Sequence, residues 1–130
     1  MKSLDFINML DEHELFLSHQ GDRRLEIHYD EARQKHIYNR ELQMASFEGA
    51  DLYRTVFQCC DMRAVNFKNA NLSSVEFINC DLRYAQFDFA LIDGLILFDC
   101  KTLGSNLEDA CKSKAFFGSI EEPRPQVITR

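Results

Sequence analysis

The chain has 130 residues, of which 45% are hydrophobic, and a net charge of -6; that size and composition suit one domain with a buried core. A mean hydropathy of -0.32 and the lack of any long apolar run argue against a membrane span. The acidity disfavours direct contact with nucleic acid, which needs a basic footprint.

The acidity is not a tail. Residues 1–42 hold 9 acids and 6 bases, residues 43–112 hold 10 and 6, and residues 113–130 hold 2 and 3. No basic stretch followed by an apolar one opens the chain, so a cytoplasmic location is expected. Five cysteines are an odd count, which fits a reducing compartment better than a disulfide scaffold.

Residues 1–23 read as a helical cap. Leu4, Ile7, Leu10, Leu15 and Leu17 recur among acids in a roughly helical pattern. Ser3 is placed to act as N-cap, and Gly21 as the stop.

From residue 24 to 112 the pattern changes. Stepping by five from Leu42 gives Phe47, Leu52, Phe57, Met62, Phe67, Leu72, Phe77, Leu82, Phe87, Ile92 and Leu97. Two residues before each centre, from Ala45 onward, the side chain is nearly always small. A period of five fits neither an α-helix nor a flat strand. It fits a chain that turns a corner every five residues and closes a square coil of twenty. The expected fold is an all-β solenoid, a quadrilateral parallel β-helix of about four coils.

Residues twenty apart then stack. Phe47, Phe67, Phe87 and Leu107 line one wall, and Phe57, Phe77 and Leu97 the wall opposite; the other two walls are aliphatic. Each buried Phe or Leu should contribute roughly 2–3 kcal/mol. Cys60, Cys80 and Cys100 share one inward column and read as small apolar fillers. Cys59 and Cys111 face outward. Upstream, Ile27, Ala32 and Ile37 keep the phase, but Asp30 and Lys35 fall at inward positions, which implies a distorted first coil or a local loop. Downstream, Thr102 and Lys112 interrupt the large-residue column.

Residues 113–130 read as a C-terminal cap and extended tail. Ala115-Phe116-Phe117 are expected to fold over the last coil.

The units Ala50-Asp51-Leu52, Cys60-Asp61-Met62, Ala70-Asn71-Leu72 and Cys80-Asp81-Leu82 resemble the pentapeptide-repeat family, whose unit is roughly Ala-(Asp/Asn)-Leu-x-x. The resemblance implies a right-handed coil. His13 and Phe16, ahead of Gly21, are similar to the lead-in of many members. The run Phe77-Ile78-Asn79-Cys80-Asp81-Leu82, with Ala85, Phe87 and Gly94, is similar to part of the quinolone-resistance pentapeptide proteins. Those resemble DNA in shape and charge and bind type II topoisomerases.

No catalytic or cofactor constellation stands out, and no metal or cofactor is expected. His13, His19, His28 and His36 have no ligand-spaced neighbours. Asp51, Asp61, Glu76 and Asp81 are read as an acidic face, with Arg63 and Arg83 beside it. The departures from the repeat are more informative. Val56, Leu91 and Ile96 are apolar where the family has Asp or Asn, and Tyr53, Ile78, Tyr84 and Phe89 also face out. Together they suggest a protein-interaction surface. Near the C-terminal coils this surface is either covered by the chain's own tail or left open, homodimerisation being one form of interface. The expected function is a non-catalytic protein that presents a rigid acidic surface to a protein partner. The alternatives are a DNA-mimicking topoisomerase (gyrase) binder and a bacterial toxin-immunity or effector-adaptor protein.

Overall fold

The computed structural model describes residues 3–21, 23–110 and 116–117. One α-helix, α1 (Ser3–Leu17), precedes the coils. Five short strands follow: β1 (His36–Tyr38), β2 (Val56–Gln58), β3 (Glu76–Ile78), β4 (Ile96–Phe98) and β5 (Phe116–Phe117). They form one parallel sheet in the order β1-β2-β3-β4-β5. Each strand pairs with the residue twenty further on: Phe57 with Phe77, and Phe77 with Leu97. The other faces pair through single parallel bridges of the same register, such as Glu41 with Asp61, Asp61 with Asp81, and Asn71 with Leu91. The fold is a right-handed quadrilateral parallel β-helix with an N-terminal helical cap; the five-residue period predicts the square coil, and the family resemblance implies its hand.

Its core is the predicted one. Centres from Ile27 to Leu107 are buried, Thr102 included, so the small side chain at 102 does not break the column. Rings stack along each aromatic wall: Phe47 on Phe67 at 5.4 Å, Phe67 on Phe87 at 5.3 Å and Phe57 on Phe77 at 5.2 Å between centroids. Across the coil the two walls meet edge-to-face, as in Phe67–Phe77 at 5.5 Å and 70°. Both geometries suit the ring quadrupole.

The corners explain the outward pattern. The residue two after each centre has a positive φ at every corner from Gln34 to Gly104; Met44, Arg54, Tyr84 and Phe89 do so without being glycine. On three faces the chain then closes a turn, with an N–H donating to the centre's carbonyl three residues back (Ala45 to Leu42, 3.0 Å; Ala50 to Phe47, 3.0 Å; Thr55 to Leu52, 2.9 Å). On the fourth face, that of Phe57, Phe77 and Leu97, no such bond closes among the described residues, and the chain stays extended as strands. The cysteine column follows this face. The thiols of Cys80 and Cys100 point at the carbonyls of Phe57 and Phe77, each at 3.2 Å. They are therefore weak donors as well as fillers.

The first coil is distorted where predicted. A turn over residues 31–34 replaces the regular corner, with Arg33 N–H donating to Asp30 O at 3.0 Å. Asp30 is exposed and Lys35 half-buried, because no coil stacks beneath them. Arg40, at the next inward position, reaches α1 instead and bonds Asp11 at 2.7 Å and Glu14 at 3.2 Å.

The buried face of α1 differs from the expected one. Phe6, Leu10 and His13 are buried, while Ile7 and Leu15 are exposed. The i, i+4, i+7 spacing of 6, 10 and 13 lies on the open end of the first coil, and His13 belongs to it because its polar atoms are satisfied there. Leu25 N–H donates to His13 Nδ1 at 2.8 Å, and His13 Nε2 donates to Gln43 O at 2.9 Å. Phe16 stacks on the imidazole at 5.7 Å. The stop is His19, not Gly21. His19 has φ 62, and Gln20 N–H reaches back to Leu15 O at 2.9 Å, which is a Schellman cap.

At the far end, Phe116–Phe117 lie against β4, the last strand of the coil. Their backbone continues the ladder, Ile96 with Phe116 and Leu97 with Phe117. Cys111, Lys112 and, apart from Phe116–Phe117, the expected cap and tail over 113–130, Ala115 included, lie outside the described residues.

Candidate protein-binding surface

The coil presents four outer faces, and register assigns each sequence-predicted residue to one of them. On the face centred on Met62 and Leu82, Asp61 and Asp81 stack, but they are neutralised. Arg63 bonds Asp61 at 2.7 Å and Arg83 bonds Asp81 at 2.7 Å, with Arg63 also 3.9 Å from Asp81. Burial works against ionisation of Asp81. The hydrogen bonds and charge of Arg83 outweigh it and hold the carboxyl below the usual carboxylate range. Asp51 stands on the next face but one, ion-paired to Arg33 at 3.2 Å. Glu76 is on the strand face. The four carboxylates expected to form one acidic face therefore occupy three.

A different face is acidic. Around Phe47, Phe67 and Phe87 the outward residues include Glu26, Glu48, Asp88, Glu108 and Asp109, against Lys68 and His28. His28 is held toward its charged form by a hydrogen bond with the Glu48 carbonyl and by Glu26. Asp88 is held below the usual carboxylate range by the Asn106 side-chain amide at 2.6 Å. The sequence signal for this face was the twenty-residue register applied to the position after each centre, where 48, 88 and 108 are all acidic.

The apolar candidates also separate. Tyr53 lies under two cations, with Arg33 5.0 Å and Arg54 5.4 Å from its ring centroid. Tyr84 is exposed beside Gly104. Phe89, 69% exposed, and Leu91 flank one corner. Val56 and Ile96 share the strand face, in the column His36–Val56–Glu76–Ile96.

The strand face gains residues that sequence reasoning passed over. Its second outward column is Tyr38–Gln58–Ile78–Phe98, with Tyr38 56% and Phe98 45% exposed. Stepping twenty either way from Ile78 would have found Phe98, and from Gln58, Tyr38. Two depressions border this face. One, of about 270 Å³, lies between α1 and β1 and is lined by Phe6, Ile7, Leu10 and Tyr38 among others. The other, of about 400 Å³, runs along the corner past Cys59, Asp61, Asn79, Asp81 and Asp99. Among the described residues no cluster of three His, Cys, Asp or Glu side chains could hold a metal ion, and no helix is long and apolar enough to cross a membrane.

A sequence profile described as "Pentapeptide repeat region" matches residues 38–107. The chain belongs to the pentapeptide-repeat family. No curated protein matches this pentapeptide-repeat chain in sequence. Among solved structures it is similar to a trypsin-treated variant of QnrB1, a plasmid-mediated fluoroquinolone resistance protein. Identity is 23%, the TM-score 0.64, and the match covers 74% of this chain and 52% of that one. A second trypsin-treated QnrB1 variant gives 22% and 0.65 with the same coverage. The chain thus spans about half the length of the QnrB1 chains it matches. The pentapeptide-repeat protein Rfr23 from the cyanobacterium Cyanothece 51142 is similar at 17% identity and a TM-score of 0.50, over 89% of this chain and 94% of that one. At these identities the likeness is one of fold.

Proposed function

We propose that this pentapeptide-repeat chain is a non-catalytic protein-binding module that offers its rigid coil surface to a protein partner. The observation that carries the reading is the strand face. This face presents Tyr38, Val56, Ile78, Ile96 and Phe98 in two neighbouring columns, five apolar residues on one face. Apolar side chains kept at solvent-facing positions of a regular solenoid mark a contact surface. The test is photo-crosslinking in a lysate of the source with a benzophenone amino acid at position 78, and again at position 73 on another face. Protein adducts specific to position 78 are expected; equal labelling from both positions would sink the reading.

A second reading rests on the acidic face of Glu26, Glu48, Asp88, Glu108 and Asp109. Carboxylates along a rod can imitate the charge of a nucleic-acid backbone, and QnrB1, which shares the fold, is a fluoroquinolone resistance protein. Topoisomerase binding predicts that gyrase supercoiling changes on addition of the protein and that charge reversal at Glu48 and Asp88 removes the effect. No change at micromolar protein excludes it. A toxin-immunity or adaptor role is the remaining alternative, and the crosslinking experiment would reveal its partner.

A further inference from the structure

We infer that the strand face receives a single amphipathic segment of a protein partner, apolar along one side and flanked by lysine or arginine. The inference rests on the protein-binding reading above and adds the chemistry of the occupant.

Three observations converge. The first is shape. The column Tyr38–Gln58–Ile78–Phe98 runs along the coil axis and continues into the depression beneath α1, where Ile7 is exposed, Phe6 and Leu10 are buried, and Lys35, His36 and the ion-paired Arg40 complete the lining. The apolar strip is therefore long and narrow, not round.

The second is area. Four rungs at ~4.8 Å and three residues at ~3.3 Å give a face of roughly 200 Å². A stable subunit interface needs about 800 Å² from each partner. The strip is too small to hold a second copy of the coil, but it accommodates one helix or strand laid along it.

The third is charge. Of the outward residues on this face only Glu76 and Asp99 are charged, and neither is in an ion pair among the described residues. This contrasts with Asp51, Asp61 and Asp81, each of which has its own arginine. Asp99 lies in the corner depression that borders the strip, with Asp61, Asp81 and Lys101 also lining it. An occupant with its apolar side on Ile78 and Phe98 would place flanking cations beside Glu76 and Asp99. Over β3 and β4 an acidic occupant would meet like charge, which is how that end of the face selects among apolar segments.

The experiment uses the full chain and a fluorescein-labelled 14-residue peptide of leucine and lysine with all leucines on one helical side. A leucine–glutamate peptide of the same pattern and a leucine–lysine peptide of scrambled order serve as comparators. Fluorescence anisotropy should show binding of the patterned leucine–lysine peptide. Phe98→Asp or Ile78→Asp should weaken it at least tenfold, Glu76→Gln less, and Ser73→Asp on another face not at all, with circular dichroism confirming that each variant is folded. Equal binding of the leucine–glutamate or scrambled peptide would overturn the inference, as would binding indifferent to Ile78 and Phe98. A chain that scatters light as a dimer, and as a monomer after Phe98→Asp, would give the face to a second copy and overturn it too. So would displacement of the label by a synthetic peptide of residues 118–130 more readily than by the unlabelled leucine–lysine peptide. If partner adducts form at position 78 while the patterned peptide fails to bind, the protein-binding reading stands and this inference falls.

Discussion

The ring of Tyr84 fills the space that a side chain on Gly104 would need. A Cβ built at Gly104 would sit 2.4 Å from Tyr84 Cδ1, and Gly104 itself has φ +75. The two residues are twenty apart, so one coil's corner dictates glycine at the next. Gly104→Ala should cost about 1–2 kcal/mol from the left-handed backbone alone, and more because the ring must move. In a Tyr84→Ser background the second part disappears. In a double-mutant cycle from thermal melts the double variant should therefore be destabilised by less than the sum of the two single variants; strict additivity would show that the ring does not press on position 104.

His13 makes stability depend on pH. Burial is the largest influence on it and lowers its pKa in the folded state. Nδ1 must also stay unprotonated to accept from Leu25. A lowered folded pKa means that the unfolded chain binds more protons near and below pH ~6.5. The stability His13 contributes is thus complete above the unfolded pKa and lost as pH falls through the folded one. Urea midpoints should decline on acidification below about pH 6.5. His28, whose folded pKa is raised, acts in the opposite sense, so the decisive comparison is with His13→Gln. That variant should be less stable at neutral pH and show a smaller decline; an identical pH profile would refute the role.

Leu72 is fully buried at the middle of an aliphatic column. Leu72→Ala should cost roughly 2–5 kcal/mol, the usual range for a core cavity. Leu72→Lys should prevent folding, because a charge there has no partner and no water. Cooperative melting of the lysine variant at the wild-type midpoint would contradict the register itself.

The thiols should divide into two kinetic classes. Cys59 is exposed; Cys60, Cys80 and Cys100 are buried. The neighbouring thiols of Cys100 and Cys60, together with burial, push the Cys80 pKa up, which leaves little reactive thiolate. In a Cys111→Ser background, a chromogenic disulfide reagent should modify one thiol rapidly and three only at the rate of unfolding. Fast reaction at more than one site would mean that the strand-face corner opens in the native state.

What the sequence determined by itself was the coil. Side chains at centres such as Phe57 and Phe77 must leave water at every fifth residue, and only a square turn allows this, so the fold and the opposed aromatic walls were legible. Stacking by twenty also follows from the sequence: it pairs Asp61 with Asp81 and sets the column of Val56, Glu76 and Ile96 apart from that of Asp51, Asn71 and Leu91. Even so, Asp51, Asp61, Glu76 and Asp81 were read as one acidic face although they occupy three, and Tyr38 and Phe98 were passed over. The tertiary structure alone decided the rest. Whether Asp81 is a free charge depends on where Arg83 reaches; whether Ile7 or His13 is buried depends on how α1 meets an open coil end. The choice of one face as the strand face depends on which corner omits its turn bond. Those outcomes are set by contacts between side chains far apart in sequence, and a five-residue period carries no information about them.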